Sequence, residues 1–348
     1  MNENEKSVFL REIDEQPAAL RNMLAFYEGE GRVALQRWGG LAAKHRRVVF
    51  CGMGTSEFAA EIVLPALVAE GIDATTIDAG EFLHYPRRVE GVLALISQSG
   101  ESVETRKVAE RMKGKAPIIG LTNDAGSALG RLADVQLLMQ AGREAAISTK
   151  TYVNTLALLF LMWKALVKGE GIDHALEVLG WAADGMGRVD REGIGRAAKG
   201  LSDAAAIHFI ARGPAMAAAR QAALTFMEGT LTPAAAFTGG AFRHGPFELV
   251  DEKHRGVVFV PQGRGGDLLA AMAVEMAEKG SRVAVITDRP DFKEAGGKLC
   301  VLGVPSWGEE LFPLSAAATQ ELLLDAVARE KGFEAGKFRH GQKITARE

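Results

Sequence analysis

The stretch VLALISQSGESVETRKVAERMK, residues 92–113, decides the fold of this chain. It begins with the apolar run Val92–Ile96, which is short enough to be a buried β-strand. A turn rich in hydroxyl groups follows at residues 97–102, and apolar residues at helical spacing then predict an α-helix. A strand, a polar turn and a helix in this order place main-chain N–H groups and hydroxyls at the positive end of a helix dipole, where phosphate binds.

Two interpretations of this turn compete. In the simpler one, Ser97, Ser99 and Ser102 only cap the helix that follows. A cap needs a single hydroxyl group, however, and three serines together with Gln98 exceed that need. We therefore favour an anion-binding turn over a simple helix cap.

Length and composition limit the classes of protein to consider. The 348 residues suit two domains, and a net charge of −3 gives no reason to expect nucleic acid or an anionic membrane as a partner. Cys51 and Cys300 lie far apart and lack metal-type spacing, so no disulfide framework is expected. The N-terminus lacks the apolar core of a signal peptide, and the apolar stretch around Leu156–Leu166 is too short to span a bilayer. A cytoplasmic protein is expected.

The first half of the chain alternates between strand-like and helix-like segments. Residues 7–45 predict helices, and strands are predicted within 47–55 and at 74–77, 93–96, 117–121 and 135–139. Pro65 should interrupt the helical segment 56–70, whereas 148–168 and 172–187 predict long helices. This alternation predicts an α/β fold in which helices cover both faces of a parallel sheet.

The same pattern returns in the second half at a nearly constant offset of about 160 residues, which indicates a duplicated domain rather than a solenoid repeat. The strand at 206–210 runs into Arg212 and Gly213, as the first strand runs into its own glycines. In the second copy, Pro261 and Gly263 stand where the first copy has Ser97 and Ser99. One half therefore keeps the anion-binding turn. The boundary between the copies is predicted near residues 189–201.

Gly52 and Gly54 follow a strand and invite a dinucleotide-binding interpretation, which Asp78 after the next strand could support. That interpretation is weak, because Glu57 replaces the third glycine of the fingerprint and its carboxylate would repel a pyrophosphate. No Gly-Lys-Ser/Thr sequence of a Walker A loop follows. The hydroxyl clusters at 55–56 and 148–150 either cap helices or surround the carboxyl ends of the strands, where a sugar would bind.

Three ionisable residues are candidates for chemistry, each with a simpler explanation. Glu228 lies in an otherwise apolar helix, where it is either solvated or desolvated enough to act as a base. His244 lies in a loop between glycines, as a surface histidine or an acid–base group. Lys343 near the C-terminus is a solvated tail residue unless the tail folds back into a site.

Four segments resemble the sugar isomerase (SIS) family, namely SQSGES at 97–102, RHGP at 243–246, ISTK at 147–150 and EIDEQP at 12–17. More narrowly, the chain resembles the isomerase module of glutamine–fructose-6-phosphate aminotransferase over nearly its whole length. The resemblance implies two tandem SIS domains, each a flavodoxin-like three-layer αβα unit with a parallel sheet flanked by helices. It implies N-terminal helices at 1–45, domains at 46–188 and 189–330, and a tail at 331–348 that closes the active site.

The resemblance also implies a role for each site residue. The sugar 6-phosphate would bind to Ser97, Gln98, Ser99 and Ser102, and the sugar itself would contact Ser56, Ile147 and Ser148. Glu228 would move the proton between C1 and C2, His244 would open the sugar ring, and Lys343 would form a Schiff base with the open-chain ketose. The family's histidine comes from the neighbouring subunit, so a homodimer is implied. No metal or other cofactor is implied.

The sequence departs from that family at several points. Thr225 stands where the aminotransferase has a second lysine, and Gln342 replaces a small residue before Lys343. No glutaminase domain with an N-terminal cysteine is present, so the chain is not expected to draw ammonia from glutamine by itself. The resemblance then implies a phosphosugar isomerase or a glucosamine-6-phosphate deaminase. The alternatives are a fructosamine-6-phosphate deglycase, a sugar-phosphate sensor without activity, or a subunit that receives ammonia from a separate glutaminase.

Overall fold

The computed structural model describes residues 6–167, 171–293, 297–340 and 343. The chain forms two units, each built around one sheet. The first unit comprises Gln16–Glu144, Lys150–Asp184 and the described part of His340–Glu348. The second unit comprises the described part of Met1–Glu15, together with Ala145–Thr149 and Gly185–Arg339.

In the first unit, the described residues form a five-stranded parallel sheet of order β2-β1-β3-β4-β5. Its strands are β1 (Arg47–Gly52), β2 (Asp73–Asp78), β3 (Val92–Ile96), β4 (Ile118–Thr122) and β5 (Val135–Leu138). Every residue of β3 and β4 is buried, as expected of strands covered on both faces. The apolar runs of the sequence therefore became the centre of this sheet.

Helices of the first unit connect and cover these strands. They are α2 (Gln16–Glu28), α3 (Arg32–His45), α4 (Thr55–Phe58), α5 (Leu64–Ala69), α6 (Ala79–His84), α7 (Val103–Met112), α8 (Ala128–Leu132), α9 (Lys150–Lys164) and most of α10 (Gly171–Gly185). A 3₁₀ turn at Ala59–Ile62 separates α4 from α5, so the interruption expected at Pro65 is confirmed. Polar groups tie α9 to its neighbours, because Trp38 donates to the Met162 carbonyl and Asn154 donates to the carbonyls of Ala19 and Met139.

In the second unit, the described residues form a second five-stranded parallel sheet, of order β10-β9-β8-β6-β7. Its strands are β6 (Ile207–Ala211), β7 (Ala234–Thr238), β8 (Arg255–Val260), β9 (Arg282–Thr287) and β10 (Leu299–Gly303). Its helices are α1 (Val8–Asp14), α11 (Arg191–Leu201), α12 (Met216–Thr230), α13 (Gly239–Arg243), α14 (Gly266–Glu278) and α15 (Phe312–Glu330). Read in chain order, both sheets have the strand order 2-1-3-4-5, so the predicted duplication is confirmed.

The predicted fold class, two parallel sheets flanked by helices, is confirmed. Strands β7 and β10, which lie at the two edges of the second sheet, were not predicted from the sequence. The stretch 189–201, predicted as a boundary, contains α11, whose apolar face is buried in the second unit. The predicted N-terminal segment 1–45 is shared between the units, and the predicted tail is described at residues 331–340 and 343.

The packing divides the chain differently from the sequence near residue 145. Ala146 and Ile147 lie in the core of the second unit, with Phe9 and Ile13 of α1. The buried carboxylate of Glu12 accepts hydrogen bonds from the main-chain N–H groups of Ala145 and Ala146. The segment Ala145–Thr149 therefore belongs to the second unit, although the residues on both sides of it belong to the first.

Among the described residues, no helix is both long and apolar enough to cross a membrane. The cytoplasmic location stays a prediction. Within the described residues, Cys51 and Cys300 form no disulfide bond.

Candidate active site

The candidate site begins where the strand order of the first sheet reverses, between β1 and β3. The register pairs Gly52 with Ile96, so the loops that leave the carboxyl ends of these two strands start side by side. Ligands of open α/β sheets bind in the crevice at such a switch point, because the loops on its two sides diverge. The loop after β1 carries Ser56, and the loop after β3 is the turn at residues 97–102.

Gly100 fixes the shape of the turn after β3. Its φ of +66° lies in the left-handed region, and its main-chain N–H donates to the Ser97 carbonyl over 3.0 Å. A Cβ atom at this position would overlap the Ser127 hydroxyl. The Ser97 N–H donates in turn to the Leu121 carbonyl at the end of β4. The turn is therefore held firmly by the sheet before any ligand binds.

The hydroxyl groups of the turn do not cap the helix that follows. Ser102 is the N-cap residue of α7, yet its side chain makes no capping hydrogen bond, whereas Ser127 caps α8 by accepting from the Gly130 N–H. The Ser102 hydroxyl lies 3.3 Å from the hydroxyl of Ser97, a residue that is only 2 % exposed. The simple capping interpretation is therefore wrong for Ser102. The N-terminus of α7 keeps the unbonded N–H groups that an anion needs.

The remaining residues of the turn are held by short local bonds. The Ser99 hydroxyl accepts from the Glu101 N–H over 3.1 Å, and the Glu101 carboxylate accepts from the Ala128 N–H over 2.7 Å. The Glu101 carboxylate is thereby tied to the start of α8. Gln98 uses its main-chain carbonyl to accept from the Asn123 N–H, which leaves its partly exposed side chain outside these bonds.

The loop after β1 approaches the same crevice closely. Gly54 has a φ of +52°, and α4 begins directly after it, with Ser56 partly exposed in its first turn. A Cβ atom on Gly52 would lie 3.0 Å from the Ile96 carbonyl oxygen and 3.0 Å from the Glu57 nitrogen. Asp78, the residue considered for a ribose, caps α6 by accepting from the Glu81 N–H. That carboxylate is used within the fold, which weakens the dinucleotide interpretation further.

Asn123, at the end of β4, links the turn to the segment that leads to Glu144. Its main-chain N–H donates to the Gln98 carbonyl over 3.0 Å. Its side chain accepts from the Ala141 N–H over 2.8 Å and donates to the Gly142 carbonyl over 2.7 Å. One residue therefore holds both the turn and this segment, which its side chain contacts at Gly142, two residues before Glu144.

Glu144 is a site residue that the sequence analysis did not identify. Its side chain is 0 % exposed, and it forms an ion pair of 2.5 Å with Lys343. It also accepts from the N–H and the hydroxyl of Thr151, over 3.0 and 2.6 Å. Burial alone would raise the pKa of this carboxyl group, but the charge of Lys343 and the hydrogen bonds from Lys343 and Thr151 outweigh burial and lower it. Glu144 is thus an ionised carboxylate that holds the Lys343 ammonium group.

The signal for Glu144 was present in the sequence but could not be interpreted there. Glu144 lies three residues before the ISTK segment, and an isolated carboxylate between short loops is typical of a solvated residue. Lys343 is described, whereas the neighbouring residue Gln342 lies outside the described residues. Only the fold reveals that these two residues, about two hundred positions apart, meet.

The second unit contains the other predicted site residues. Ile147 is buried, and a Cβ atom on Gly229 of α12 would lie 3.2 Å from its side chain. The Ser148 carbonyl accepts from the Gln221 side chain over 3.3 Å. Glu228 is partly buried on α12, one residue before Gly229. The ISTK segment and the helix of Glu228 are therefore neighbours within this unit.

Thr225 and His244 also lie in the second unit. Thr225 is buried and donates to the main-chain carbonyl of Gln221 within its own helix, so its hydroxyl serves α12. His244 ends α13 and is exposed, and Gly245 after it has a φ of +149°. An exposed imidazole on a loop fixed by such a glycine is available to a ligand or to another subunit.

The structure therefore distributes the predicted residues over both units. Within the first unit lie Ser56, Ser97, Gln98, Ser99 and Ser102, in the loops that follow β1 and β3, and Lys343, which pairs with Glu144. Within the second unit lie Ile147, Ser148, Glu228 and His244.

Comparison with known proteins agrees with this architecture. The sequence profile of the SIS domain matches residues 41–165 and 200–328. A glutamine–fructose-6-phosphate aminotransferase of Aeropyrum pernix is 33 % identical over 95 % of this chain and 56 % of its own length. This chain spans about half the length of the curated relatives that it matches.

Solved structures share the fold. The C-terminal domain of glucosamine-fructose-6-phosphate aminotransferase from Francisella tularensis superimposes with a TM-score of 0.85 and 22 % identity, covering 97 % of this chain and 99 % of that one. A glucosamine-6-phosphate deaminase from Thermotoga maritima superimposes with a TM-score of 0.71 and 20 % identity, again over 97 % and 99 %.

Proposed function

This chain belongs to the SIS family of phosphosugar isomerases, and on that premise we propose that it is an enzyme acting on an amino-sugar 6-phosphate. The reaction that we propose is the deamination of glucosamine 6-phosphate, in which the sugar phosphate and water give fructose 6-phosphate and ammonia. The observation that carries this proposal is the ion pair of Lys343 with buried Glu144, in the same unit as the serine turn.

The serine turn is proposed to bind the 6-phosphate group. The N-terminus of α7 provides main-chain N–H groups without a side-chain cap, and Ser97, Ser99 and Ser102 provide hydroxyl donors around it. The turn carries no lysine or arginine of its own. The attraction for phosphate therefore comes from the helix dipole and from neutral donors, whose effect is strongest where water is excluded.

Lys343 is proposed to supply the amine for a Schiff base. The Nζ lone pair adds to C2 of the ketose-level imine that proton transfer produces, ammonia leaves, and water then hydrolyses the lysine imine to fructose 6-phosphate and free Lys343. In the ion pair with Glu144, the amine is protonated and has no free lone pair. Substrate binding must therefore release Lys343 from Glu144 or take up its proton, and Glu144 is placed to accept that proton.

Glu228 is proposed to remove the C2 proton of the aldose and return it to C1. The C1 aldehyde of the open-chain sugar acidifies this C–H bond, so a carboxylate is a sufficient base, and the proton transfer leaves a C1 hydroxyl and a C2 imine. His244 is proposed to open the sugar ring by moving a proton between the ring oxygen and the anomeric hydroxyl. Their exposure supports this proposal, since Glu228 is partly exposed and His244 is exposed.

The first experiment measures ammonia release after the purified protein is mixed with glucosamine 6-phosphate. Wild-type protein is expected to release one ammonia per fructose 6-phosphate formed, and Lys343→Ala is expected to release none. Lys337→Ala, an exposed lysine close by in sequence, is the matched control and should keep full activity. Glu228→Gln should bind sugar phosphate normally but turn over at least a hundredfold more slowly.

Other outcomes separate the remaining functions. Conversion of fructose 6-phosphate to glucose 6-phosphate without ammonia would establish an isomerase instead. Turnover of fructosamine 6-phosphates alone would establish a deglycase. Sugar-phosphate binding without turnover of any of these substrates would refute the proposed enzyme and establish a sensor.

A homodimer in which His244 acts on the partner's substrate is also part of this proposal. Mixing inactive His244→Asn protein with inactive Lys343→Ala protein tests it directly. Subunit exchange should restore activity, because mixed dimers then contain one complete site. Mixtures that remain inactive after exchange has been verified by mass would show that His244 does not act across subunits.

A further inference from the structure

The second sheet has a switch point of its own, between β6 and β8. In the first sheet, the corresponding crevice carries the serine turn. In the second sheet, Arg212 follows β6 directly, and the loop after β8 contains Gly263 and Gly265 in place of serines. Ligands of open α/β sheets bind beside the carboxyl ends of the strands at such a point, so the side chains there are candidates for ligand binding.

Arg212 has no counter-ion among the residues that the structure describes. The Arg212 side chain belongs to a partly buried residue. Its Nε atom is fully buried and has no hydrogen-bond partner within the described residues. Throughout the described part of the chain, no carboxylate forms an ion pair with its guanidinium group. Removing a charge from water without a partner is unfavourable, so a partly buried guanidinium at a ligand-binding edge is suited to bind an anion.

Glycines surround this guanidinium group. A Cβ atom at Gly239 would lie 2.9 Å from the Arg212 Nε atom, and one at Gly240 would lie 3.8 Å from a terminal nitrogen. Gly265, with a φ of +81°, comes similarly close to the Arg212 Cδ atom. Side chains at these positions would obstruct the guanidinium group, so the glycines keep main chain, not carboxylates, around it.

The carboxylates along the same edge either bond to groups other than Arg212 or lie elsewhere along the edge. Asp267 in the first turn of α14 pairs with Arg289 over 2.6 Å. Asp288, after β9, accepts from the Gln262 N–H and from the Ser306 hydroxyl. Glu309 lies against Gly263 and forms no ion pair with Arg212. None of them neutralises Arg212.

We propose that Arg212 binds a phosphate monoester at the switch point of the second sheet, as a second anion site in addition to the serine turn. The planar guanidinium group presents parallel N–H donors that match two oxygens of a phosphate. The two halves of the duplicated fold would then hold phosphate at corresponding places by different means, with hydroxyls and a helix N-terminus in one and with an arginine in the other. This inference does not depend on the chemistry of Lys343.

The experiment counts bound anions with inorganic phosphate as the probe. Equilibrium dialysis of the full chain should give two phosphates per wild-type chain and one per Arg212→Met chain. Arg188→Met, which removes an exposed arginine of the same unit, is the charge-matched control and should bind two. Unpaired Arg212 also predicts that Arg212→Met is at least as stable as wild type in phosphate-free buffer.

Two results would overturn the proposal. One is equal phosphate stoichiometry in wild-type and Arg212→Met proteins. The other is lower stability of Arg212→Met without phosphate, which would show that the guanidinium group is already satisfied within the fold. A crystal soaked in tungstate gives an independent answer if the variant does not fold. Anomalous density at the serine turn but none beside Arg212 would also reject the second site, whether or not ammonia is released.

Discussion

Acidification is expected to destabilise the second unit through one buried histidine, His254. Its ring nitrogens are both engaged, with Nε2 2.9 Å from His208 Nδ1 and Nδ1 2.8 Å from the Ser281 hydroxyl. Burial and the neighbouring charges of His208 and Arg255 lower the pKa of His254 to about 4, although Asp251 opposes the shift. Burial also lowers the pKa of His208. The pair is therefore neutral at physiological pH.

The size of the effect follows from proton linkage. The histidine of the unfolded chain binds its proton near its ordinary pKa of 6.5, whereas folded His254 does so only near about 4. Between these two pKa values the unfolded chain binds more protons than the folded chain. The contribution of neutral His254 to the stability of the fold is therefore fully present above the unfolded pKa, and it is lost as the pH falls towards the folded pKa. Because of His254, the free energy of unfolding should decrease by about 2 kcal/mol when the pH falls from 8 to 5.

The assay compares urea unfolding of wild type and His254→Gln at several pH values between 8 and 5. The neutral glutamine should remove about 2 kcal/mol of the pH dependence. Replacement of the partly buried His45 by glutamine is the control and should leave the pH dependence close to that of wild type. Hydrogen exchange of the β6 and β8 amides reports the second unit separately. Equal pH dependence in wild type and His254→Gln would refute the reasoning.

Three further predictions concern the first unit. Gly100→Ala should lower stability by about 2–4 kcal/mol in urea unfolding and weaken phosphate binding, because its φ is +66° and its Cβ would overlap Ser127; wild-type stability would contradict the proposed turn geometry. Glu144→Gln keeps the shape but removes the charge that holds Lys343, so kcat for ammonia release should fall at least tenfold with a smaller change in KM; an unchanged kcat would exclude a positioning role. Trp38→Phe removes a buried donor that bonds a main-chain carbonyl of α9 and should cost about 1–3 kcal/mol in thermal unfolding, whereas a neutral change would show that water satisfies that carbonyl.

The sequence was sufficient wherever the information was local. Central strands such as Val92–Ile96 are continuous apolar runs because both of their faces are covered, and that pattern is visible in the chain. The edge strands Ala234–Thr238 and Leu299–Gly303 were missed, since each pairs on one side only and is less buried. The serine turn was identified because strand, turn and helix follow one another without interruption.

The tertiary structure decided whatever depends on contacts between distant parts of the chain. The sequence places Ser102 at the start of α7 but cannot show that its hydroxyl lies beside Ser97 and leaves the helix uncapped. Glu144 has no local signature, and its importance follows from burial and from the charge of Lys343, which reaches it from the far end of the chain. By itself, the sequence determined the duplicated α/β fold and the anion-binding turn, because spacing along the chain encodes secondary structure. Only the fold determined which charges are paired, as Glu144 is, and which have no counter-ion among the described residues, as Arg212 does, because pairing depends on distance in space.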